Sequence, residues 1–126
     1  MVNNFFTDEE VKEIEVQGQV FKYKPTTSGD ELDWANDYYD DVEETRDGVK
    51  VVSKKQNLGK LSLCKLRNIV SVPFSNEELK EITKIEKSYS EYNNADKDAL
   101  FRKLQPRIYE ELMKKIDASK NSKKKE

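Results

Sequence analysis

Apolar and polar residues alternate with period two between Ile14 and Tyr23. Ile14 and Val16 stand on one side of Gln17-Gly18, and Val20, Phe21 and Tyr23 on the other. That pattern predicts a β-hairpin in which Gly18 supplies a positive φ, although the phase changes across the turn and leaves the register open. Pro25 cannot donate to a strand ladder and ends the hairpin. Ahead of it, Thr7-Asp8-Glu9-Glu10 has the form of a capping box, which predicts a short helical turn from Asp8. After it, Ser28 with Glu31 three residues on predicts the N-cap of a helix, with Asp30 and Glu31 in the first turn, where negative charge suits the helix dipole. Projected at about 100° per residue, Leu32, Trp34, Ala35, Tyr38, Tyr39 and Val42 share one arc. Asp33, Asp37, Asp40 and Asp41 occupy the opposite arc. The turn signal Asp47-Gly48 places the end of this helix near Thr45.

Val49 to Val52 reads as a short extended piece. Asn57 then caps a helix predicted to run to about Val70, with Leu58, Leu61, Leu63, Cys64, Leu66, Ile69 and Val70 nearly encircling it, as in a buried central helix. Pro73 stops it. Ser75 and Glu78 form the next capping box, opening a helix with Leu79, Ile82, Ile85, Tyr89 and Tyr92 on one face. Asn93-Asn94 ends that helix, and a short one follows over 95–104. Pro106 suits the first position of a last helix, whose stripe is Ile108, Leu112 and Ile116, with Glu110–Lys114 and Glu111–Lys115 as exposed pairs. The fold class expected is mainly α with a short N-terminal β-hairpin (α+β), a small bundle of about four to five helices. Residues 1–118 are expected to form a single globular domain and 119–126 a flexible basic tail.

Charge changes this picture. The 126 residues carry a net charge of −2, yet residues 1–47 hold 14 acidic against 4 basic side chains and residues 48–126 hold 19 basic against 11 acidic. Either the fold interleaves the two signs as surface ion pairs, or it keeps them apart and favours head-to-tail self-association or two different partners. No apolar run reaches about 18 residues, so no membrane span is predicted. The opening residues lack the form of a secretory signal, and the lone Cys64 has no disulfide partner within the chain, which together point to the cytoplasm.

The chemistry-bearing residues are few. There is no histidine, which removes Ser-His-Asp and Cys-His nucleophiles and most zinc and iron sites. Gly18, Gly29, Gly48 and Gly59 stand alone and build no phosphate-cradling loop. The run Asp37 to Gly48 is acidic but lacks calcium-loop spacing, and a helix would place Asp37, Asp40 and Asp41 on one solvated face. The expectation is a non-enzymatic protein with no cofactor and no metal. Trp34, Tyr38 and Tyr39 are either core or an exposed anchor for a protein partner. Lys120, Lys123, Lys124 and Lys125 form a basic tail that either solubilises or touches phosphate, without the interleaved aromatic residues of a single-strand binder.

The stretches IEVQGQVFKYKPTTSGDEL (14–32) and LFRKLQPRIYEELMKKI (100–116) resemble the tail assembly chaperones of tailed viruses. One is a short β segment turning through Pro-Thr into an acidic helix, the other a Leu-Pro break before a closing amphipathic helix. The resemblance covers about a third of the chain. It implies a mostly helical viral morphogenesis protein in the host cytoplasm that binds and solubilises a helical tape-measure client by helix-in-groove packing. The family has no catalytic residues to carry over. Trp34, Tyr38 and Tyr39 are the residues expected to edge the groove. The competing expectations are a head–tail connector or other virion subunit, with homo-oligomerisation, and a nucleic-acid-binding accessory protein using the basic tail.

Overall fold

The computed structural model describes residues 10–121. Thr7-Asp8-Glu9 and Lys123 to Lys125, and with them the expected turn from Asp8 and most of the basic tail, lie outside the described residues. Two antiparallel sheets and five α-helices follow one another along the chain. Strands β1 (Lys12–Val16) and β2 (Gln19–Tyr23) form the expected hairpin. Ile14 pairs with Phe21 across it, and both central turn residues, Gln17 and Gly18, have positive φ (53° and 78°), the geometry whose twist matches the flanking strands. Ile14, Val16, Phe21 and Tyr23 are buried while the residues between them face out. A short third strand, β5 (Ile69–Ser71), completes this sheet beside β2.

Helix α1 runs from Ser28 to Tyr38. Its N-cap is Thr27 rather than Ser28: Thr27 Oγ1 accepts from Asp30 N–H at 3.1 Å, and Asp30 Oδ2 accepts from Thr27 N–H at 3.0 Å. Strands β3 (Tyr39–Arg46) and β4 (Val49–Gln56) follow as a hairpin of their own. Helix α2 (Leu58–Lys65) starts at Asn57, whose side chain accepts from Lys60 N–H. A single 3-10 turn, Leu66–Asn68, leads into β5. Helix α3 (Asn76–Thr83) has the Ser75–Glu78 capping box, and α4 (Asn94–Phe101) is capped by Asn93. Helix α5 (Pro106–Asn121) begins at the proline.

These facts correct the expected fold class. The chain is not a helical bundle with one hairpin. Among the described residues it has five strands in two separate sheets, and the second hairpin replaces half of what the spacing predicted as one helix to Thr45. Tyr38, Tyr39 and Val42 fit a helical arc, but the chain leaves the helix at Tyr39, where φ is −100° and ψ 135°. The β-branched run Val49, Val51, Val52 and the Asp47-Gly48 turn, with positive φ at both residues, capture residues 39–46 as a strand. Asp37, Asp40 and Asp41 therefore do not share a helix face. The helix expected to reach Val70 stops at Lys65, because Ile69 is taken into the sheet opposite Tyr23. The helix expected to reach Tyr92 stops at Thr83, where Lys84 turns left-handed (φ 65°).

The main core joins Ile14, Val16, Phe21, Tyr23, Leu66 and Ile69 to Leu79 of α3, Leu100 and Phe101 of α4, and Leu112 and Ile116 of α5. Tyr89 and Tyr92 close it from a second 3-10 turn. A smaller cluster, Trp34, Tyr38, Leu61 and Cys64, holds α1 against α2.

Candidate functional site

The two clusters are joined by a nearly buried arginine. Arg67, 7% exposed, donates through Nε and Nη2 to both oxygens of Asp98 on α4 (3.0 and 2.6 Å) and through Nη1 to Asp37 on α1 (2.8 Å). The bidentate pair with Asp98 holds the guanidinium charged well above its ordinary range, against the pull of burial. Lys97 Nζ donates to the Arg67 carbonyl and lies 5.4 Å from the centre of the Tyr89 ring. Every partner here is satisfied within the chain, so the network is a clamp between α1, the 3-10 turn and α4.

The expected anchors divide. Trp34 and Tyr38 are 6% and 5% exposed and face α2, which makes them core. Tyr39 is 40% exposed at the first position of β3, its ring 4.9 Å from that of Tyr38. The structure thus does not bring the three together as a surface. Cys64 is buried beside them, and burial pushes its thiol up, away from the reactive thiolate. Lys120 falls within α5, and Lys123, Lys124 and Lys125 lie outside the described residues.

The acidic run is dispersed among cations. Asp40 accepts from Lys60 Nζ (2.6 Å) and Asn57 (2.8 Å), Asp41 meets Lys54 (3.4 Å), and Glu43 meets Lys50 (3.4 Å). Hydrogen bonds from Lys60 and Asn57 hold the Asp40 carboxyl below the usual range. The acidic and basic parts of the sequence therefore interleave here. Among the described residues no group of acidic or cysteine side chains is arranged to hold a metal ion. None of the described helices is long and apolar enough to cross a membrane.

Three surfaces stand out among the described residues. One is an open groove of about 460 Å³ between α2, α4 and the start of α5. Leu63, Phe101, Leu104, Pro106 and Tyr109 line it together with Asn57, Gly59, Arg102 and Lys60, the last paired with Asp40. Burial raises the Tyr109 hydroxyl, with Ser62 opposing, so the phenol stays neutral and donates or accepts hydrogen bonds at the groove wall. Nothing in the sequence singles these residues out. Leu63 and Leu104 read as ordinary core positions, and only the Leu104-Gln105-Pro106 break marks a place where two helices part. Another is the β3–β4 hairpin, in which every residue of β4 is exposed, including Val49, Val51 and Val52. A further concavity on α3, lined by Glu77, Lys80, Glu81, Lys84 and Glu86, is wholly charged, with Lys80 and Glu86 paired at 2.7 Å.

No family model, no curated protein and no solved structure matches the chain.

Proposed function

We propose that the chain is a non-enzymatic binding protein that holds an amphipathic helix of a protein client in the α2–α4–α5 groove. The apolar lining of the groove, with Arg102 and the Asp40-paired Lys60 beside it, is the observation that carries this reading. It complements a helix whose apolar stripe is flanked by acidic residues, the helix-in-groove mode of recognition. A viral tail assembly chaperone acting in the host cytoplasm is the form this takes if the resemblance of residues 14–32 and 100–116 holds, with a tape-measure-like helical protein as client. Trp34 and Tyr38 support the site only indirectly, by fixing α2 through Leu61. The groove residues replace them as the contact set.

The test is site-specific crosslinking in producing cells. A photoreactive side chain at Tyr109 should capture one long helical protein, and Leu104→Glu should abolish that capture while leaving the far-ultraviolet circular dichroism unchanged. The same probe at Glu81, on α3, is the control. Equal capture at Tyr109 and Glu81, or capture that Leu104→Glu does not change, sinks the reading.

A further inference from the structure

We propose that copies of this chain assemble through the edges of the β3–β4 ribbon, the acidic strand of one copy adding to the basic strand of the next. The inference does not depend on the client groove.

Three observations carry it. First, both long edges are open: among the described residues β3 pairs only with β4. The Tyr38 carbonyl accepts from Asn57 N–H at 2.7 Å, which continues the ladder one step past the strands. Antiparallel alternation then turns the backbone groups of Asp40, Val42, Glu44 and Arg46 inward. It directs those of Asp41, Glu43 and Thr45, and of Lys50, Val52 and Lys54, away from the partner strand. Such outward rows are templates for another strand.

Second, the two edges carry opposite charge. Strand β3 has Asp40, Asp41, Glu43 and Glu44 against one cation, Arg46, and β4 has Lys50, Lys54 and Lys55 with no acid. Lysines along an edge ordinarily repel other strands, and here they repel a second β4. Two-fold pairing of β4 with β4 sets lysines against lysines, and β3 with β3 sets carboxylates against carboxylates. Only β3 against β4 joins unlike edges.

Third, the register is compatible. With neighbouring ribbons level, the outward pairs within the hairpin, Asp41 with Lys54 and Glu43 with Val52, recur between copies as inward-bonded pairs. Lys54 then lies between the Asp41 carboxylates of two chains, while Lys50 stands opposite Thr45 with Glu43 on the diagonal. On the other face of the ribbon Val51 recurs beside Glu44 and Val49 beside Arg46 of the neighbouring copy, so charge rather than an apolar stripe directs the contact. A contact between unlike edges is heterologous, so it generates rings or filaments rather than a closed dimer.

The experiment is sedimentation velocity on the full chain and four variants at low and high salt. The native chain should sediment as a species larger than a dimer at low salt and dissociate as salt screens the edges. Asp41→Lys with Glu43→Lys makes both edges basic, and Lys50→Glu with Lys54→Glu makes both acidic. Each should be monomeric alone, and an equimolar mixture of the two should assemble. The fourfold exchange restores unlike pairs within the ribbon and should assemble by itself, and amide exchange over residues 39–56 checks that the ribbon is formed in each double variant. Val52→Pro removes one outward N–H and no ladder bond, and should abolish assembly while leaving groove crosslinking at Tyr109 intact. A native chain that is monomeric at low salt overturns the proposal. So does an assembly that survives Val52→Pro, or a mixture of the two charge variants that stays monomeric.

Discussion

The two hairpins differ in what supports them. Hairpin β1–β2 ends in Gln17-Gly18, an indifferent sequence for a turn in which both residues need positive φ, and is covered by α5 and the main core. Lys115 Nζ on α5 reaches the Glu15 carbonyl, and Gln17 Nε2 reaches Glu111 at 3.2 Å. Hairpin β3–β4 is longer, has no buried residue, and carries Asp47-Gly48, among the best residues for such a turn. Burial specifies the first and local chemistry the second. An isolated two-stranded ribbon is marginal in water, so the second hairpin owes its persistence to the turn, to its cross-strand pairs and to its anchoring at Asn57.

That contrast is broken most strongly by emptying the core. Leu112→Ala should cost about 2–5 kcal/mol, because a fully buried leucine leaves a cavity. Val52→Ala, at a position 57% exposed, should stay within about 0.5 kcal/mol. Urea unfolding followed by tryptophan fluorescence checks both. Comparable losses at the two sites would mean that the ribbon is part of the global cooperative unit.

Arg67→Met tests the joint between the regions. It strands the Asp98 carboxylate, 21% exposed, with its main partner gone, and should cost about 3 kcal/mol. Adding Asp98→Asn should recover part of the loss, since the uncompensated charge is then removed. No recovery in the double variant would show that Arg67 acts by packing alone.

The legible parts of the fold were those whose cause is local. Ser75 with Glu78, Asn57 and Pro106 announce helix starts through hydrogen bonds or dihedral limits within one turn of chain, and the structure has a helix at each. The alternation from Ile14 to Tyr23 announces a sheet face because that face is buried. Residues 39–46 were not legible because their strand partner lies across the turn and no buried face imposes alternation. Their apolar members fit a helical arc equally well. The end of α2 failed similarly: Ile69 and Val70 continue a helical apolar pattern, and only the pairing of Ile69 with Tyr23, far away in sequence, makes them strand. For the candidate site, the aromatic run reads as core or anchor from the sequence alone, and which of the two Trp34 is depends on α2 lying across it. The groove arises from the meeting of three helices and has no signature in any of them.

Gly18 and Gly48 offer the same substitution in the two settings. Their φ values are 78° and 77°, and an added Cβ meets no atom within 4 Å at either. Alanine therefore imposes only the left-handed backbone cost, about 1–2 kcal/mol. In β1–β2 that cost should appear in global stability. In β3–β4 it should appear as faster amide exchange over residues 39–56 with an almost unchanged urea midpoint. A global loss for Gly48→Ala equal to that for Gly18→Ala would erase the distinction.

The acid limb of stability separates the start of α1 from the ribbon more gently. Burial pushes the Asp30 carboxyl up, but hydrogen bonds from Asn68 (2.9 Å) and Thr27 overcome it and hold the group below the usual range. A carboxyl lowered in the folded state stabilises above its unfolded value, near pH 3.9, and loses that contribution as pH falls through the folded value. Asp30→Asn should thus be less stable than the native chain at neutral pH, and the difference should narrow below about pH 4. A constant difference across that range would show that Asp30 acts only through cap geometry.

The smallest effect is the most specific to the contrast. Exchanging the first turn residues, Gln17→Asp in one hairpin and Asp47→Gln in the other, moves the better turn from the bare ribbon to the covered hairpin. Aspartate is several-fold more tolerant of a left-handed backbone than glutamine, a difference of about 0.5–1 kcal/mol. In β1–β2 the gain is offset by losing the Gln17–Glu111 hydrogen bond and by setting a new carboxylate near Glu111, so global stability should move by no more than about 0.5 kcal/mol. In β3–β4 nothing offsets the loss, so amide exchange between Tyr39 and Gln56 should accelerate a few-fold with the global midpoint fixed. Because edge pairing needs a formed ribbon, Asp47→Gln should also weaken assembly without touching any charge of the β3 or β4 strands. Assembly that strengthens in that variant would mean that the ribbon must open before copies join, and that strand exchange rather than edge addition connects them.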